Sequence, residues 1–439
     1  MSARASVARQ AGVSLIELMV AMVLGLLVAA GIINVFLSTS SSYRAHNQLA
    51  QVQETGRYAV ERMAEDLRMA NAQFCTGTGG IASEGGAGIY LDGLRAPVVY
   101  ARNLAAAINT KDLTTRWGQT SGGNTYPQAP TAPYALPSFL WMRGYDCDEK
   151  NCKPVTPPTS FLPAMGRQAD NRVVGSGVLT LRYVDPARGW TLGGGSYVVT
   201  EPTSGAVTSI HVAPSAGEPA LSEFESAHLA LLADCSGSQV FAVNGNPDFV
   251  PDANLNFAAP VVRHAKSPLR LFDFNTDFVV VTYYLKVIAN DDGTTTGALI
   301  RKDKGSDQEI VRGVERLDFL YGVEDNNGNT RYLSAGEVDS NAGGSIACPP
   351  PAPLPLPTDP GCLWRAIKSI EVHLLVSAEM PLYTLTPSEQ MFAYQLDGIA
   401  EPAAPDAPGR RVTPRAQGFL SQKVRREFVA LVSVRNYNP

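Results

Sequence analysis

Hydrophobic residues dominate the start of the chain. From Leu18 to Leu37 there is no charged residue, and only Asn34 is strongly polar. As a helix this segment is about 30 Å long, which matches the hydrocarbon core of a bilayer. The preceding segment contains Arg4 and Arg9 and no acid, so the positive-inside rule places it in the cytoplasm. The pattern therefore predicts a membrane-spanning helix with the rest of the chain on the far side.

The helical pattern continues beyond the apolar segment and becomes amphipathic. Apolar residues recur three or four positions apart, or at sums of these spacings, at Leu49, Val52, Ala59, Met63, Leu67, Ala70 and Phe74. Charged pairs three or four positions apart are assigned to the opposite face, at Glu54/Arg57, Arg62/Asp66 and Glu65/Arg68. Gly56 weakens the helix without ending it. The prediction is one helix from about Leu15 to Ala72, roughly 85–90 Å long.

Strand patterns dominate the last 260 or so residues. The predicted strands are 178–185, 196–200, 207–212, 229–232, 239–243, 278–287, 317–323, 367–376 and 427–435. Residues 75–172 show poor periodicity and are predicted to be loop-rich, with short strands such as 97–100. The fold class is therefore α+β: a long N-terminal helix packed on an antiparallel β-sheet head with long loops.

Composition and charge exclude several protein classes. The chain has 439 residues and a net charge of −5, which argues against a nucleic-acid-binding protein because such proteins carry a basic face. A hydrophobic fraction of 45% is too high for a disordered chain. The 39 glycines and 31 prolines argue against a helical bundle for the bulk of the chain.

The six cysteines are compatible with three disulfides in an oxidising compartment. Their positions favour the pairs Cys147–Cys152, Cys348–Cys362 and Cys75–Cys235. The first pair brackets a four-residue turn, the second brackets a proline-rich loop, and the third would fasten the end of the helix to the sheet. Six cysteines allow 15 pairings, so this set is a preference. Zinc is disfavoured because no C-x-x-C occurs and no histidine lies close to a cysteine in sequence.

Motifs for catalysis and cofactor binding are missing from the sequence. No G-x-S-x-G, Walker A loop or H-E-x-x-H is present. Residues 77–82 fit G-x-G-x-x-A, but they follow a helix rather than a strand, which is the wrong context for a dinucleotide. His373 lies in an apolar strand and is interpreted as a satisfied sheet residue. We expect no enzymatic activity and no cofactor.

One segment has the oxygen spacing of a calcium loop. Asp325, Asn327 and Asn329 alternate, as calcium ligands do. However, glycine occupies the fourth position of the segment rather than the sixth, and Gly336 occupies the twelfth, where calcium loops have glutamate. A hairpin turn is the favoured interpretation, and calcium is the alternative.

The N-terminal segment has two ordinary interpretations, and a third that also accounts for Glu17. A secretory signal peptide cleaved after Ala30 and a plain membrane anchor both fit the apolar run, but neither explains Glu17. The stretch from Gly12 to Leu18, GVSLIEL, resembles the class III signal of type IV prepilins. The resemblance implies that prepilin peptidase cuts after Gly12 and methylates Val13. Glu17 would then pair with the free amine of a neighbouring subunit. Valine and serine at positions 13 and 14 depart from the commoner phenylalanine or methionine and threonine.

A second resemblance covers the helix and the last 260 or so residues. Residues 56–59 (GRYA), 64–70 (AEDLRMA), the strands 178–185, 278–287 and 317–323, and residues 434–436 are similar to the PilW family of minor pilins. The implied organisation is a cleaved leader at 1–12, a pilin-like helix at 13–74, an irregular region at 75–172 that is an insertion, and a PilW-like head at 173–439.

These resemblances imply a function as a minor pilin that helps to start and assemble a type IV pilus in a Gram-negative bacterium, at the tip. The implied partners are prepilin peptidase, other minor pilins, the major pilin and a large tip adhesin. Before assembly the protein would span the inner membrane once with its head in the periplasm, and afterwards it would be on the cell surface. Two alternatives stay open: a minor pseudopilin of type II secretion, and a surface adhesin presented on the pilus.

Overall fold

The fold is that of a computed structural model. It describes residues 14–72, 74, 79–85, 88–94, 96–102, 104, 117–118, 120–121, 124–224, 228–234, 237–262, 267–303, 305–341, 346–348, 357–382, 385, 393–395, 402–403, 411–412, 414–420 and 422–434. Gly12, Val13, Cys75 and Cys235 lie outside these residues, so the predicted cleavage site and the third predicted disulfide are not described.

A single helix, α1, runs from Leu15 to Met69 and confirms the predicted long helix. Its 55 residues correspond to about 82 Å. It ends three residues before the predicted boundary, and Asn71 follows in the left-handed backbone region, with φ of 60°. A left-handed residue just after a helix is a common way to end one.

Among the described residues, three large β-sheets form most of the head. The helix-facing sheet has four antiparallel strands in the spatial order Thr330–Leu333, Val314–Glu324, Ser369–Ser377 and Arg425–Ser433. The second half of α1 packs on the last two of these strands. Alternation explains the packing, because Val372, Leu374 and Val376 face the core while Glu371 and His373 lie on the other face.

The central sheet packs against the helix-facing sheet. Its main strands, in spatial order, are Ser306–Arg312, Thr295–Asp303, Phe278–Ala289, Val178–Val184, Arg143–Cys147 and Cys152–Lys153. Arg172–Val173 pairs with Phe278–Ala289 and with Met165–Gly166. The second half of α1 and one face of each of these two sheets share one hydrophobic core.

The third sheet, here called the distal sheet, has nine strands. Seven follow the order Trp190–Thr191, Arg270–Asp273, Leu229–Ala233, Ser238–Asn244, Asp248–Pro251, Val207–His211 and Tyr197–Thr200. Val98–Val99 pairs with Ser238–Asn244, and Tyr134–Ala135 pairs with Val98–Val99. Two separate apolar cores lie against this sheet. One of these cores also contains Val184, Phe278 and Val280 of the central sheet, so the distal sheet forms a second lobe that packs on the central sheet.

Smaller elements complete the described chain. The minor strands are Gly79–Gly85 with Gly88–Leu94, Thr120–Ser121 with Asn124–Thr125, and Ala393–Gln395 with Pro402–Ala403 and Arg411–Val412. The short helices are Phe274–Asp277, Ala335–Ser340 and Pro414–Gln417, and the 3₁₀ turns are Ser138–Leu140, Leu221–Glu223 and Cys362–Arg365.

The strand predictions are confirmed, with boundaries shifted by one to three residues. The sequence pattern missed Thr295–Asp303 and Ser306–Arg312, because the first is buried almost throughout and the second is mostly polar and exposed, so neither alternates clearly. The region predicted as loop-rich supplies Arg143–Cys147 to the central sheet and Val98–Val99 to the distal sheet. These pairings depend on partners about 30 to 140 residues away, which local pattern does not show.

Candidate functional site

The N-terminus of α1 is closed by a reciprocal pair of hydrogen bonds. The Glu17 amide donates to the Ser14 hydroxyl oxygen at 3.2 Å, and the Ser14 amide donates to the Glu17 carboxylate at 3.2 Å. This capping box satisfies two amides that the helix leaves without partners. A carboxylate in the first turn is also favoured by the helix dipole. Glu17 therefore has a role within its own chain, which sequence reasoning did not foresee although S-x-x-E is the signature of the motif.

The first part of α1 presents apolar side chains on every side. Large hydrophobic residues from Leu15 to Leu37 are more than half exposed, and none of the helix from Leu15 to Leu37 is buried by the head. By length and composition this is a helix that could cross a membrane. So large an apolar surface requires lipid or other apolar helices around it.

The second part of α1 is joined to the central sheet by a buried carboxylate. Asp66 accepts hydrogen bonds from the hydroxyls of Tyr283 (2.6 Å) and Tyr183 (3.0 Å) and from Arg301 Nε (2.7 Å). Burial alone would raise the pKa of Asp66, but the hydrogen bonds from Arg301 and Tyr283 and the Arg301 charge hold it below its ordinary value. The carboxylate is thus ionised and fixes one face of the helix on three side chains of the sheet.

The predicted exposed pair Arg62/Asp66 is wrong. Arg62 pairs instead with Glu65, at 2.7 Å, on the exposed side of the helix. Asp66 lies seven residues after Ala59 and four before Ala70, so it belongs to the apolar stripe, and only 5% of it is exposed. An acid at a stripe position was the sequence signal for a buried ion pair. Its partner Arg301, 235 positions away, could not be identified from sequence.

The end of α1 is held by a buried asparagine. The Asn71 side-chain amide donates to the Trp364 carbonyl oxygen at 3.1 Å, and its carbonyl oxygen accepts from the Met142 amide at 3.1 Å. The Asn71 backbone amide donates to the Arg182 carbonyl oxygen at 2.9 Å. One residue thus connects the end of the helix to three separate segments of the head.

Gly56 lets the helix approach the last strand closely. A Cβ atom at this position would lie 2.3–2.5 Å from carbons of the Phe428 ring. The glycine that weakened the helical pattern therefore has a packing reason, because the Phe428 ring occupies the space that a side chain would need.

A second buried network joins the 126–143 segment to the C-terminal half of the head. Arg143 pairs with Asp339 at 3.0 Å and donates to the Tyr126 hydroxyl at 3.1 Å. Trp364 Nε1 donates to the same Asp339 carboxylate at 3.0 Å. Sequence reasoning missed this network because its members are far apart in the chain.

The structure pairs Cys147 with Cys152 and Cys348 with Cys362. The loop closed by the second pair is held by Asp359, which accepts from the Ser138 amide (3.0 Å) and from Arg365 Nη2 (2.9 Å). The described end of this loop therefore contacts the head at Ser138 through Asp359.

The segment with calcium-loop spacing forms a hairpin turn between Val314–Glu324 and Thr330–Leu333. The Asp325 carboxylate accepts from the backbone amides of Asn327 (2.9 Å) and Asn329 (3.0 Å), which occupies it within the turn. In the part of the chain that the structure describes, no group of three or more His, Cys, Asp or Glu side chains is arranged to hold a metal ion.

His373 lies between two carboxylates on the outer face of the helix-facing sheet. Its Nε2 is 2.8 Å from Glu371 and its Nδ1 is 3.4 Å from Glu427. Burial lowers the pKa of His373, but the two carboxylates outweigh it and raise the pKa above its ordinary value. His373 is thus a satisfied sheet residue, as the sequence indicated.

Comparisons with known families match the two ends of the chain. The model of a family described as type IV pilus-assembly protein W matches residues 282–436, and that of the prokaryotic N-terminal methylation motif matches residues 7–33. The first match contains the helix-facing sheet and the C-terminal strands of the central sheet, while the distal sheet lies outside both matches. Comparison with curated proteins gave no match, and comparison with solved structures gave none.

Proposed function

Because this chain is a type IV pilus-related prepilin of the PilW family, we propose that it is a minor pilin that starts or caps the filament at its tip. The methylation motif implies processing by prepilin peptidase and assembly with other pilins. The proposed position at the tip is based on where the distal sheet lies relative to the helix.

The observation that carries the proposal is the attachment of the distal sheet at the far end of the helix. The Phe74 ring, five residues after the end of α1, lies 5.5 Å from the Phe272 ring of that sheet. Arg270, in the same strand, stacks over Phe74 with its guanidinium carbon 5.6 Å from the ring centroid. The lobe outside the family match thus adjoins the end of the helix that points away from the membrane-spanning part.

A lobe in this position limits where the subunit fits. In a filament built by lateral packing of the N-terminal helices, the next subunit towards the tip occupies the space beyond the head. Packed helices are about 8–10 Å apart, whereas a globular head of this length is roughly 50–55 Å across. Such a head interferes with a subunit above it, and the tip is the position that has none.

The N-terminal helix supplies the assembly contact in this proposal. Cleavage after Gly12 leaves Val13 as the new N-terminus, four residues before Glu17. The Glu17 carboxylate keeps its bond to the Ser14 amide and also pairs with the Val13 amine of a neighbouring helix. A charge pair in a low-dielectric filament core sets the axial register, because a slipped neighbour leaves both charges unpaired.

The proposal is tested by counting the protein in sheared pili of different lengths. Immunoblots should give a ratio of this protein to the major pilin that is inversely proportional to filament length, and immunogold labelling should mark filament ends. Labelling along the filament would contradict the tip position. A deletion strain that assembles normal pili but loses type II secretion would instead identify the protein as a pseudopilin.

A surface-binding role is the second candidate, favoured by one exposed feature of the distal sheet. The Tyr197 ring, about half exposed, stacks on His211 at a centroid distance of 5.1 Å, and His211 Nδ1 is 2.6 Å from Asp248. Tyr197→Ser tests this role: piliation should be normal while cell attachment falls. Unchanged attachment would contradict the surface-binding role, and only the assembly role would remain.

A further inference from the structure

A buried arginine lies against the disulfide between Cys147 and Cys152. Arg172 Nη1 is 3.0 Å from the Cys147 sulfur and 3.5 Å from the Cys152 sulfur, and Arg172 Nη2 is 3.6 Å from the Cys152 sulfur. A disulfide sulfur is a weak acceptor and carries no charge. The contact with the disulfide therefore does little to offset the cost of burying the positive charge of the guanidinium.

Among the described residues, no other group neutralises Arg172. The side chain belongs to a residue that is 1% exposed, its Nε has no hydrogen-bond partner, and no carboxylate lies within ion-pair distance of it. The titratable group beside it is Tyr284, whose hydroxyl donates to Asp307 at 2.8 Å. Burial raises the pKa of Tyr284, so the phenol stays neutral. A buried unpaired charge is costly, and an anion at the sulfur would relieve that cost.

We propose that Cys147–Cys152 is an exchangeable disulfide that a dithiol opens and the disulfide form of such a dithiol recloses, and that Arg172 stabilises the Cys147 thiolate of the open form. A thiolate of the reductant attacks the Cys152 sulfur, the sulfur–sulfur bond breaks, and its electron pair leaves on Cys147 beside Arg172. The second thiol of the reductant then displaces Cys152 from the mixed disulfide. The protein disulfide gains two electrons and the dithiol is oxidised to its own disulfide.

The other described disulfide provides an internal comparison. Both disulfides close short rings, with Cys348 and Cys362 14 positions apart and Cys147 and Cys152 5 apart, so the comparison rests on the groups beside the sulfurs. Of the side chains that the structure describes, the one that contacts the Cys348 sulfur is the neutral Asn341 amide, whose nitrogen is 3.7 Å away. We therefore expect Cys348–Cys362 to stay closed where Cys147–Cys152 opens.

The test is a redox titration of the full chain in detergent. The protein is equilibrated with mixtures of reduced and oxidised dithiothreitol, quenched with acid and alkylated, and each cysteine peptide is quantified by mass spectrometry. Cys147–Cys152 should open at a dithiol/disulfide ratio at least tenfold lower than Cys348–Cys362, a difference of about 30 mV. Equal midpoints, or opening of Cys348–Cys362 first, would overturn the proposal.

Variants isolate the contribution of Arg172. Arg172→Met should raise the ratio needed to open Cys147–Cys152 at least tenfold and leave Cys348–Cys362 unchanged. Lys150→Met is the matched control, since it removes an exposed cation from the same turn and should change neither midpoint. If both variants behave alike, Arg172 has no role in the exchange.

A measurement on the reduced wild-type protein keeps the proposal testable if Arg172→Met does not fold. The rate of iodoacetamide alkylation at Cys147 is followed against pH, because only the thiolate reacts. The pH at which the alkylation rate is half-maximal should lie about one unit or more below 8.5, the ordinary pKa of a cysteine thiol. A midpoint at or above 8.5 would refute a thiolate stabilised by Arg172.

Discussion

Replacing Asp66 by asparagine tests whether the buried carboxylate holds the helix on the head. The substitution keeps the shape of the side chain and removes its charge, while Arg301 remains 8% exposed and charged. Breaking a buried pair by removing one partner costs about 3–5 kcal/mol. Arg301 keeps a contact with Asp303 at 2.9 Å, but that carboxylate is partly exposed. We therefore expect a loss near the lower limit, about 3 kcal/mol of the free energy of unfolding.

The assay is urea unfolding of the full chain in detergent, followed by tryptophan fluorescence. Glu65→Gln is the matched control, because it breaks the exposed pair with Arg62 one position away and should cost less than about 1 kcal/mol. The double variant Asp66→Asn/Arg301→Gln should lose less than the sum of the single variants. If Asp66→Asn costs no more than Glu65→Gln, the carboxylate does not join helix and head as we argue.

The pH dependence of this difference has a defined sign. The folded protein holds the pKa of Asp66 below its ordinary value of 3.8, so ionised Asp66 stabilises the fold fully above that pH. The stabilisation is lost as the pH falls through the lower folded value. The difference in stability between wild type and Asp66→Asn should therefore be constant from about pH 5 to 8 and shrink below about pH 4. A difference that grows on acidification would refute the assignment.

Three further outcomes are expected. Gly56→Ala should destabilise the head by about 1–2 kcal/mol in urea unfolding, since overpacking against Phe428 outweighs the gain in helix propensity, and Phe428→Leu should reduce that loss. Mass spectrometry of the mature protein should find an N-methylated Val13 after cleavage at Gly12, whereas a start at residue 31 would indicate an ordinary signal peptide. Glu17→Ala should insert into the membrane normally and enter sheared pili less than wild type; an unchanged ratio would leave Glu17 with its capping role alone.

The long helix and the strands were predictable because each depends on short-range periodicity. The apolar run from Leu18 to Leu37 requires an apolar environment, and the β-branched and aromatic residues of 278–287 favour a strand. The class III signal around Gly12 and Glu17 was equally local, and the match to the methylation motif over residues 7–33 agrees with it. In each case the information lies within a few tens of residues.

Tertiary structure decided which polar residues are buried and what they contact. Asp66 has the same chemistry in sequence as Glu65, but its position on the helix turns it towards Arg301, 235 residues later. Arg172 meets a disulfide rather than a carboxylate, and the distal sheet places its lobe beside Phe74 at the end of the helix. These contacts come from strand pairings between distant parts of the chain, and such pairings depend on the burial of whole sheet faces. Sequence periodicity shows only which residues of one element lie on the same face.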